Sequence, residues 1–262
     1  MHTTRSRFVE HGGLRLHYVD SFDDATVDRA LAPVVFVPGM GDEADEYHGL
    51  LDDLLPRRVL SVDVRGRGRS DAPGATGEGW SPAHHVGDLE AVIADAGVTD
   101  AADGRVHIAS YSRGTGYSLG WAITHPERVR SVTIGDYFAG HVRVPEQYRP
   151  GFHTRKWRGR PMNERMTAEA IDGVFAESED IEMFDELGAL GVPVLLVRGT
   201  APGAIVTDEL AARYREAVPG IEIVDFDGSG HDLWRPDPHR FNRTLRDFFD
   251  RVDAAITGGP TA

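Results

Sequence analysis

Short apolar, β-branched runs recur along the chain, and most are followed by a longer stretch in which apolar residues return at helical spacing. Val34–Val37, Val59–Val64, Val106–Ala109, Val129–Ile134, Pro193–Val197 and Ile221–Phe226 are predicted strands. Phe8–Val9 and Leu14–Val19 predict an antiparallel hairpin turning at Gly12–Gly13. Helices are predicted from Pro82 to Ala96 behind Ser81 as N-cap, from Arg113 to His125 with Pro126 as the stop, from Asp208 to Ala217, and from Pro238 to Val252. The tail from Thr257 to Ala262 is expected to fray. This alternation is the pattern of an α/β domain, a mostly parallel sheet flanked by helices.

The interval from Tyr137 to Gly188 breaks the rhythm. It is rich in Arg, Pro and Gly, with weak helical patterning at Ala168–Phe175 and Ile181–Leu187. A structureless loop of that length does not suit a compact domain. It therefore predicts a small helical cap over residues 137–188, inserted into a core domain made of residues 1–136 and 189–262.

Composition narrows the classes of function. The chain has 262 residues, 40% hydrophobic and 27% charged, as an ordinary soluble domain has. Its formal net charge of −14 repels phosphate backbones and argues against nucleic acid as a partner. The absence of cysteine rules out disulfides, thiolate metal sites and a cysteine nucleophile. No His-x-x-x-His pair offers a metal site. The segment Met1–Arg7 has no apolar signal core, and no apolar run reaches membrane-spanning length, so a cytoplasmic protein without membrane contact is expected.

The sharpest chemical signal is Val106-His107-Ile108-Ala109-Ser110-Tyr111-Ser112-Arg113-Gly114. A strand runs into small–x–Ser–x–Gly and a helix follows. Such a turn strains the backbone at the serine, lifts its hydroxyl clear of the sheet and requires small flanking residues. It also places the residue-113 amide at a helix N-terminus, where negative charge is stabilised. Ser110 stands where the usual motif has Gly. A literal Gly-x-Ser-x-Gly occurs at Gly116-Tyr117-Ser118-Leu119-Gly120, but it follows no strand and lies roughly 9 Å along the helix. Ser112, not Ser118, is the expected nucleophile. Gly114, Gly116 and Gly120 are expected to let that helix pack closely on the sheet.

With Pro38-Gly39-Met40-Gly41, Asp63-Val64-Arg65-Gly66-Arg67-Gly68-Arg69-Ser70, His125-Pro126-Glu127-Arg128-Val129 and Gly228-Ser229-Gly230-His231 in the same order, the chain resembles the α/β-hydrolase fold superfamily over nearly its whole length outside the cap. The resemblance implies that His231 is the base a serine hydroxyl needs. It implies an oxyanion hole from the amides of Arg113 and Met40, and a structural, turn-bracing role for Asp63, Arg65 and Ser70. The acid departs from the common pattern. The family usually carries it after the strand at Val194–Val197, where this chain reads Gly199-Thr200-Ala201-Pro202 and has no carboxylate before Asp208. Some branches carry the acid one strand earlier, and Val132-Thr133-Ile134-Gly135-Asp136 places Asp136 there. Asp136 is the expected acid, with Asp208 as runner-up. Asp208 beside Thr207 also reads as a helix-start residue, and Asp232 adjoins the histidine and is expected to point elsewhere.

The implied activity is that of a serine hydrolase, cleaving a small or medium carboxylic ester, a lactone or a thioester through an acyl-enzyme on Ser112, with no metal or other cofactor. The fold also hosts lyases, C–C bond hydrolases and ligand-binding receptors, so these alternatives stay open. Dehalogenase and epoxide hydrolase chemistry attacks with an Asp at the turn, and this chain has Ser112. In the cap, Arg143, Arg149, Arg155, Lys156, Arg158, Arg160 and Arg165 form either a solvated basic face or, in part, a pocket wall that selects an anionic substrate. Phe138, Tyr148, Phe152 and Trp157 are candidates for apolar lining or, equally, for the core of the cap. The expected partner is a small molecule; nothing in the sequence bears on oligomeric state.

Overall fold

Gly12 and Gly13 take φ values of +56° and +78°, the left-handed region a tight hairpin turn requires. In the computed structural model, which describes residues 4–22, 25–74, 79–100 and 103–257, this turn folds β1 (Arg5–His11) back on β2 (Leu14–Asp20), with Val9 opposite Leu16. Then come β3 (Val34–Val37), α1 (His48–Asp53), β4 (Val59–Val62), α2 (Pro82–Ala96), β5 (Val106–Tyr111), α3 (Gly114–Thr124) and β6 (Val129–Gly135). Strands β3 to β6 are buried at every position, as strands covered on both faces must be. Ser81 precedes α2, but its hydroxyl bonds to His84 Nδ1 at 2.7 Å and caps no main-chain amide.

Beyond β6 lie the short strands β7 (Gly140–His141), β8 (Lys156–Trp157) and β9 (Arg160–Pro161), helix α4 (Ala168–Glu177), strand β10 (Ile181–Glu182) and helix α5 (Phe184–Ala189). The chain then returns through β11 (Val194–Gly199), α6 (Asp208–Ala217), β12 (Glu222–Phe226) and α7 (Arg240–Thr257). Helix α7 thus starts later and runs further than Pro238 to Val252. The residues beyond 257, expected to fray, lie outside the described ones.

The eight strands of the main sheet run in the order β1-β2-β4-β3-β5-β6-β11-β12. From β4 to β12 neighbours are parallel; β1 and β2 join antiparallel at one edge. One face packs on α2, α3 and α6 through residues such as Leu89, Leu119, Trp121 and Tyr214. The other packs on α1 and α7 through Leu50, Phe241, Leu245 and Phe249. Parallel order makes β3, β5, β6, β11 and β12 all end at one edge of the sheet, the edge where open α/β sheets hold their ligands.

The segment after β6 leaves and returns between adjacent strands, because β6 pairs with β11. It has a small core of its own, in which Phe152, Met162, Met166, Ile171 and Phe175 gather with Trp80 from the main domain. Gly173 in α4 sits directly on that indole; a side chain there would meet the Trp80 ring at 2.3 Å. Its helical content is α4 and α5 with short 3₁₀ turns. The β8–β9 ribbon and the β7–β10 pair supply the rest, so the patterning at Ile181–Leu187 divides between a strand and a helix. Among the described residues no helix is long and apolar enough to cross a membrane.

Candidate active site

The turn after β5 has the geometry its residues predict. Ser112 has φ +52°, a strained position for a residue with a side chain, worth on the order of 1–3 kcal/mol. The strain is held by the sheet: the Ser112 amide donates to the Gly135 carbonyl at 2.9 Å. A side chain at Gly114 would meet the Val37 and Pro38 carbonyl oxygens at 2.3 and 2.4 Å, so only glycine lets α3 start against the end of β3. The other two glycines of α3 differ from expectation: Gly116 faces His141 and Gly120 faces Val86 of α2, not the sheet. Ser110 fits where glycine is usual because its hydroxyl donates to the Thr133 carbonyl at 3.1 Å inside the sheet. Ser118 is fully buried in α3 and bonds to the Thr115 carbonyl, away from any base.

His231 follows β12 and lies against this turn. Its Nε2 stands 2.9 Å from Ser112 Oγ, and its Nδ1 2.8 Å from Asp136 Oδ2. An ionised carboxylate only accepts, so Nδ1 carries the proton and Nε2 accepts from the serine. Asp136 ends β6 at φ +45°, also left-handed, and is wholly buried. Its carboxylate is met by main chain: the Ile205 amide donates to Oδ2 at 2.9 Å and the Val206 amide to Oδ1 at 3.1 Å. The loop after β11, where Pro202 stands in place of the family's usual acid, thus delivers amides to Asp136 instead. Asp208 lies outside this group. It begins α6 behind the Thr207 cap, is 89% exposed and pairs with Arg198. Asp232 points away from the histidine's ring and pairs with Arg158 and Arg235.

Met40 and Arg113 both border the pocket above Ser112. Among the described residues neither amide is bonded to a main-chain carbonyl. The loop is held from behind by buried arginines. Arg67 Nε donates to the Met40 carbonyl at 3.1 Å and Arg165 to the Gly41 carbonyl at 2.8 Å. Asp42 Oδ2 accepts from the Gly39 amide at 3.0 Å, closing the turn. The segment after β4 braces its surroundings as expected: Asp63 accepts from the Ala44 and Arg69 amides, Arg65 grips Asp88, and Ser70 bonds back to Asp63.

The pocket has a volume of about 400 Å³. Phe138, Tyr148, Phe152 and Trp157 all line it, and so do Arg143, Arg155 and Lys156. The basic cap residues divide. Arg149 pairs with Glu146 and Asp172, Arg160 with Glu43 and Glu164, and Arg165 with Glu46. Arg158, at the turn of the β8–β9 ribbon, reaches Asp232 at 3.0 Å and Asp42 at 3.6 Å among the rings of Tyr47, Tyr111, Trp157 and Trp234. Burial works against its charge, but Tyr47, Asp42 and Asp232 more than offset this and hold its pKa above the ordinary guanidinium value. Among the described residues no group of His, Asp and Glu is arranged to hold a metal ion.

A family model described as the alpha/beta hydrolase fold matches residues 32–137, which span β3 to the end of β6. The chain has the α/β-hydrolase fold. A putative carbamate hydrolase, RutD, of Azorhizobium caulinodans is 28% identical over 257 residues, covering 84% of this chain and 92% of the relative. The proline iminopeptidase of Mycobacterium smegmatis superposes with a TM-score of 0.72 at 19% identity, over 96% of this chain and all (100%) of that one. The esterase EaEST of Exiguobacterium antarcticum has the same TM-score, 0.72, at 19% identity, over 94% and 100%. The structural likenesses bear on the fold.

Three further contacts shape the site without a local sequence signal. The Tyr111 hydroxyl donates to the His231 carbonyl at 2.6 Å and its ring stacks on the imidazole with centroids 5.0 Å apart, so the residue before the serine also anchors the histidine loop. Trp157 Nε1 donates to Asp42 Oδ1 at 2.6 Å, tying the cap to the Gly39–Asp42 turn. Arg67 supports Met40 from inside a run read only as structural. The one usable hint was Asp42 itself, a carboxylate right after a Gly-x-Gly turn, the type of residue that closes turns on main-chain amides.

Proposed function

We propose that the protein is a serine hydrolase that cleaves a small or medium carboxylic ester through an acyl-enzyme on Ser112. The observation that carries this reading is the unbroken chain Ser112 Oγ–His231 Nε2 and Nδ1–Asp136 Oδ2, at 2.9 and 2.8 Å. Ser112 Oγ attacks the ester carbonyl carbon while His231 Nε2 takes the hydroxyl proton. The carbonyl oxygen becomes an oxyanion facing the Met40 and Arg113 amides, each worth about 10²–10³ in rate at such a site. The intermediate collapses, the C–O bond to the alcohol breaks, and the imidazolium returns its proton to the departing alkoxide. Water then attacks the acyl-enzyme with His231 again as base, releasing the acid and restoring Ser112. Asp136 fixes the tautomer and stabilises the imidazolium throughout. The relative named as a putative carbamate hydrolase supports hydrolysis as the reaction class.

Labelling with a fluorophosphonate tests this. The probe is expected on Ser112, absent in Ser112→Ala and much reduced in His231→Ala, with the same variants losing turnover of p-nitrophenyl esters. A folded protein that neither labels nor turns over esters would move the reading to a binding protein or to a chemistry without an acyl-enzyme.

A further inference from the structure

The seven cap cations are not one surface. Four are bound to carboxylates, as described above, and act as struts. Arg143, Arg155 and Lys156 are different. All three are exposed, all three border the pocket of Ser112, and among the described residues none of them is ion-paired. Asp180 accepts the Arg143 main-chain amide at 2.7 Å and not its guanidinium. Among the described residues the one carboxylate bordering the pocket, Asp42, is buried and engaged by Gly39, Trp157 and Arg158. In a chain of net charge −14, three unpaired cations at the rim of one pocket are an isolated positive field.

The remaining wall has the complementary character. Phe138, Val142, Val144, Phe152 and Met162 are apolar and lie with the cations around the same space of about 400 Å³. A ligand that satisfies both features has an apolar stem and an anionic end. Guanidinium groups suit a carboxylate because they meet it with two parallel N–H donors.

We propose that this pocket selects esters whose far end carries a carboxylate, with Arg143, Arg155 and Lys156 as the specificity-determining residues. The proposal rests on Ser112 as the reacting centre and adds the substrate class. The carboxylate end takes no part in bond making; it is held at the rim while the ester carbonyl lies at Ser112.

The test compares the mono-p-nitrophenyl ester of adipic acid with p-nitrophenyl hexanoate, which differ in a terminal carboxylate against a methyl group. The readout is the ratio of their kcat/KM values, so any general loss of activity in a variant cancels. Exposed charges contribute modestly one by one, so three together predict a ratio of about ten or more at low salt. The ratio is expected to fall toward one in the triple variant Arg143→Gln/Arg155→Gln/Lys156→Gln, and in the wild type when salt is raised to about 0.5 M, where the Debye length shrinks to about 4 Å. A wild-type ratio of one or less, or a ratio that the triple variant leaves unchanged, overturns the proposal while Ser112-dependent hydrolysis of the hexanoate leaves the esterase reading standing. If neither ester is turned over and Ser112 does not label, the esterase reading fails. Calorimetric binding of adipate then decides the subsite: salt-sensitive binding lost in the triple variant supports it, and no binding refutes it.

Discussion

Replacing Asp136 by Asn changes one atom in the structure and should separate the two candidate positions for the acid. Three N–H donors converge on the two oxygens of this buried carboxylate: Ile205 and His231 on Oδ2, Val206 on Oδ1. A carboxylate accepts all three. A carboxamide has one accepting oxygen, so its NH₂ must face a donor. If the NH₂ takes the Oδ1 position, it confronts the Val206 amide and leaves His231 correctly protonated but without a counter-charge. If it takes the Oδ2 position, it confronts the Ile205 amide and donates to Nδ1. That drives the imidazole to the wrong tautomer, with an N–H aimed at Ser112. Either way one buried donor is orphaned, at a cost of about 1–3 kcal/mol in stability, or a Tm lower by a few degrees. The catalytic loss is larger, because the imidazolium loses its anion in both orientations. A drop of about 10³–10⁴ in kcat is expected, equivalent to about 4–5.5 kcal/mol of transition-state stabilisation. The assay is steady-state turnover of a p-nitrophenyl ester, with Tm measured on the same samples. Asp208→Asn is the control: its side chain is 89% exposed and its partner Arg198 keeps Asp225, so kcat should stay within about twofold of wild type. A folded Asp136→Asn that retains more than a tenth of wild-type kcat, together with collapse of Asp208→Asn, would refute the assignment and return the acid to the segment after β11.

Two further outcomes follow from the same geometry. Arg158→Ala removes the bond to Asp232, the residue next to His231, and the contact with Asp42; kcat/KM is expected to fall about tenfold or more and Tm by several degrees, and an unchanged Tm and kcat/KM would show that the ribbon does not hold the histidine loop. Buried His141 is held neutral chiefly by desolvation, with the Arg113 charge adding to it, and its pKa drops to about 4. The unfolded chain therefore takes up a proton near pH 6.5 that the folded chain refuses until about pH 4. The contribution of His141 to stability should be level above pH 6.5 and decline as pH falls through that window, by on the order of 3 kcal/mol for a group shifted this far. Urea midpoints measured from pH 8 to 4.5 check it, and His141→Gln should flatten part of the decline; an identical decline in that variant would place its origin elsewhere.

What could be read from the sequence, and what could not, divides along one physical line. The turn at Ser112 was legible because its constraints are local. A strand, small residues and a helix must follow within a few positions, which is also why the literal motif at Ser118 was recognisably inside a helix. Asp136 was legible because strand order carries strand ends to one edge, and the missing carboxylate before Asp208 left that position vacant. The contacts of Tyr111, Trp157 and Arg158 were not legible. Their partners are a histidine loop and a turn far away in sequence, and nothing in a tyrosine or an arginine announces which distant oxygen it will meet. The cap was legible only as an interruption. Its two-residue strands and 3₁₀ turns are too short to impose a period, so their positions are decided by packing around Trp80. Its cations needed structure for the same reason: composition counted seven alike, and only contacts sorted struts from pocket rim.

The ribbon at Lys156–Pro161 ties two events together. Lys156 and Trp157 face the space a substrate would fill, while Arg158, one residue on, grips the neighbour of the histidine. The pocket wall and the histidine loop are thus joined through one short ribbon. Whatever a ligand gains by settling the ribbon is returned as a better-placed imidazole, and by reciprocity a disturbed imidazole loosens the ligand. Substitution of Arg158, which does not line the pocket, should therefore disturb the pocket wall and the histidine loop together.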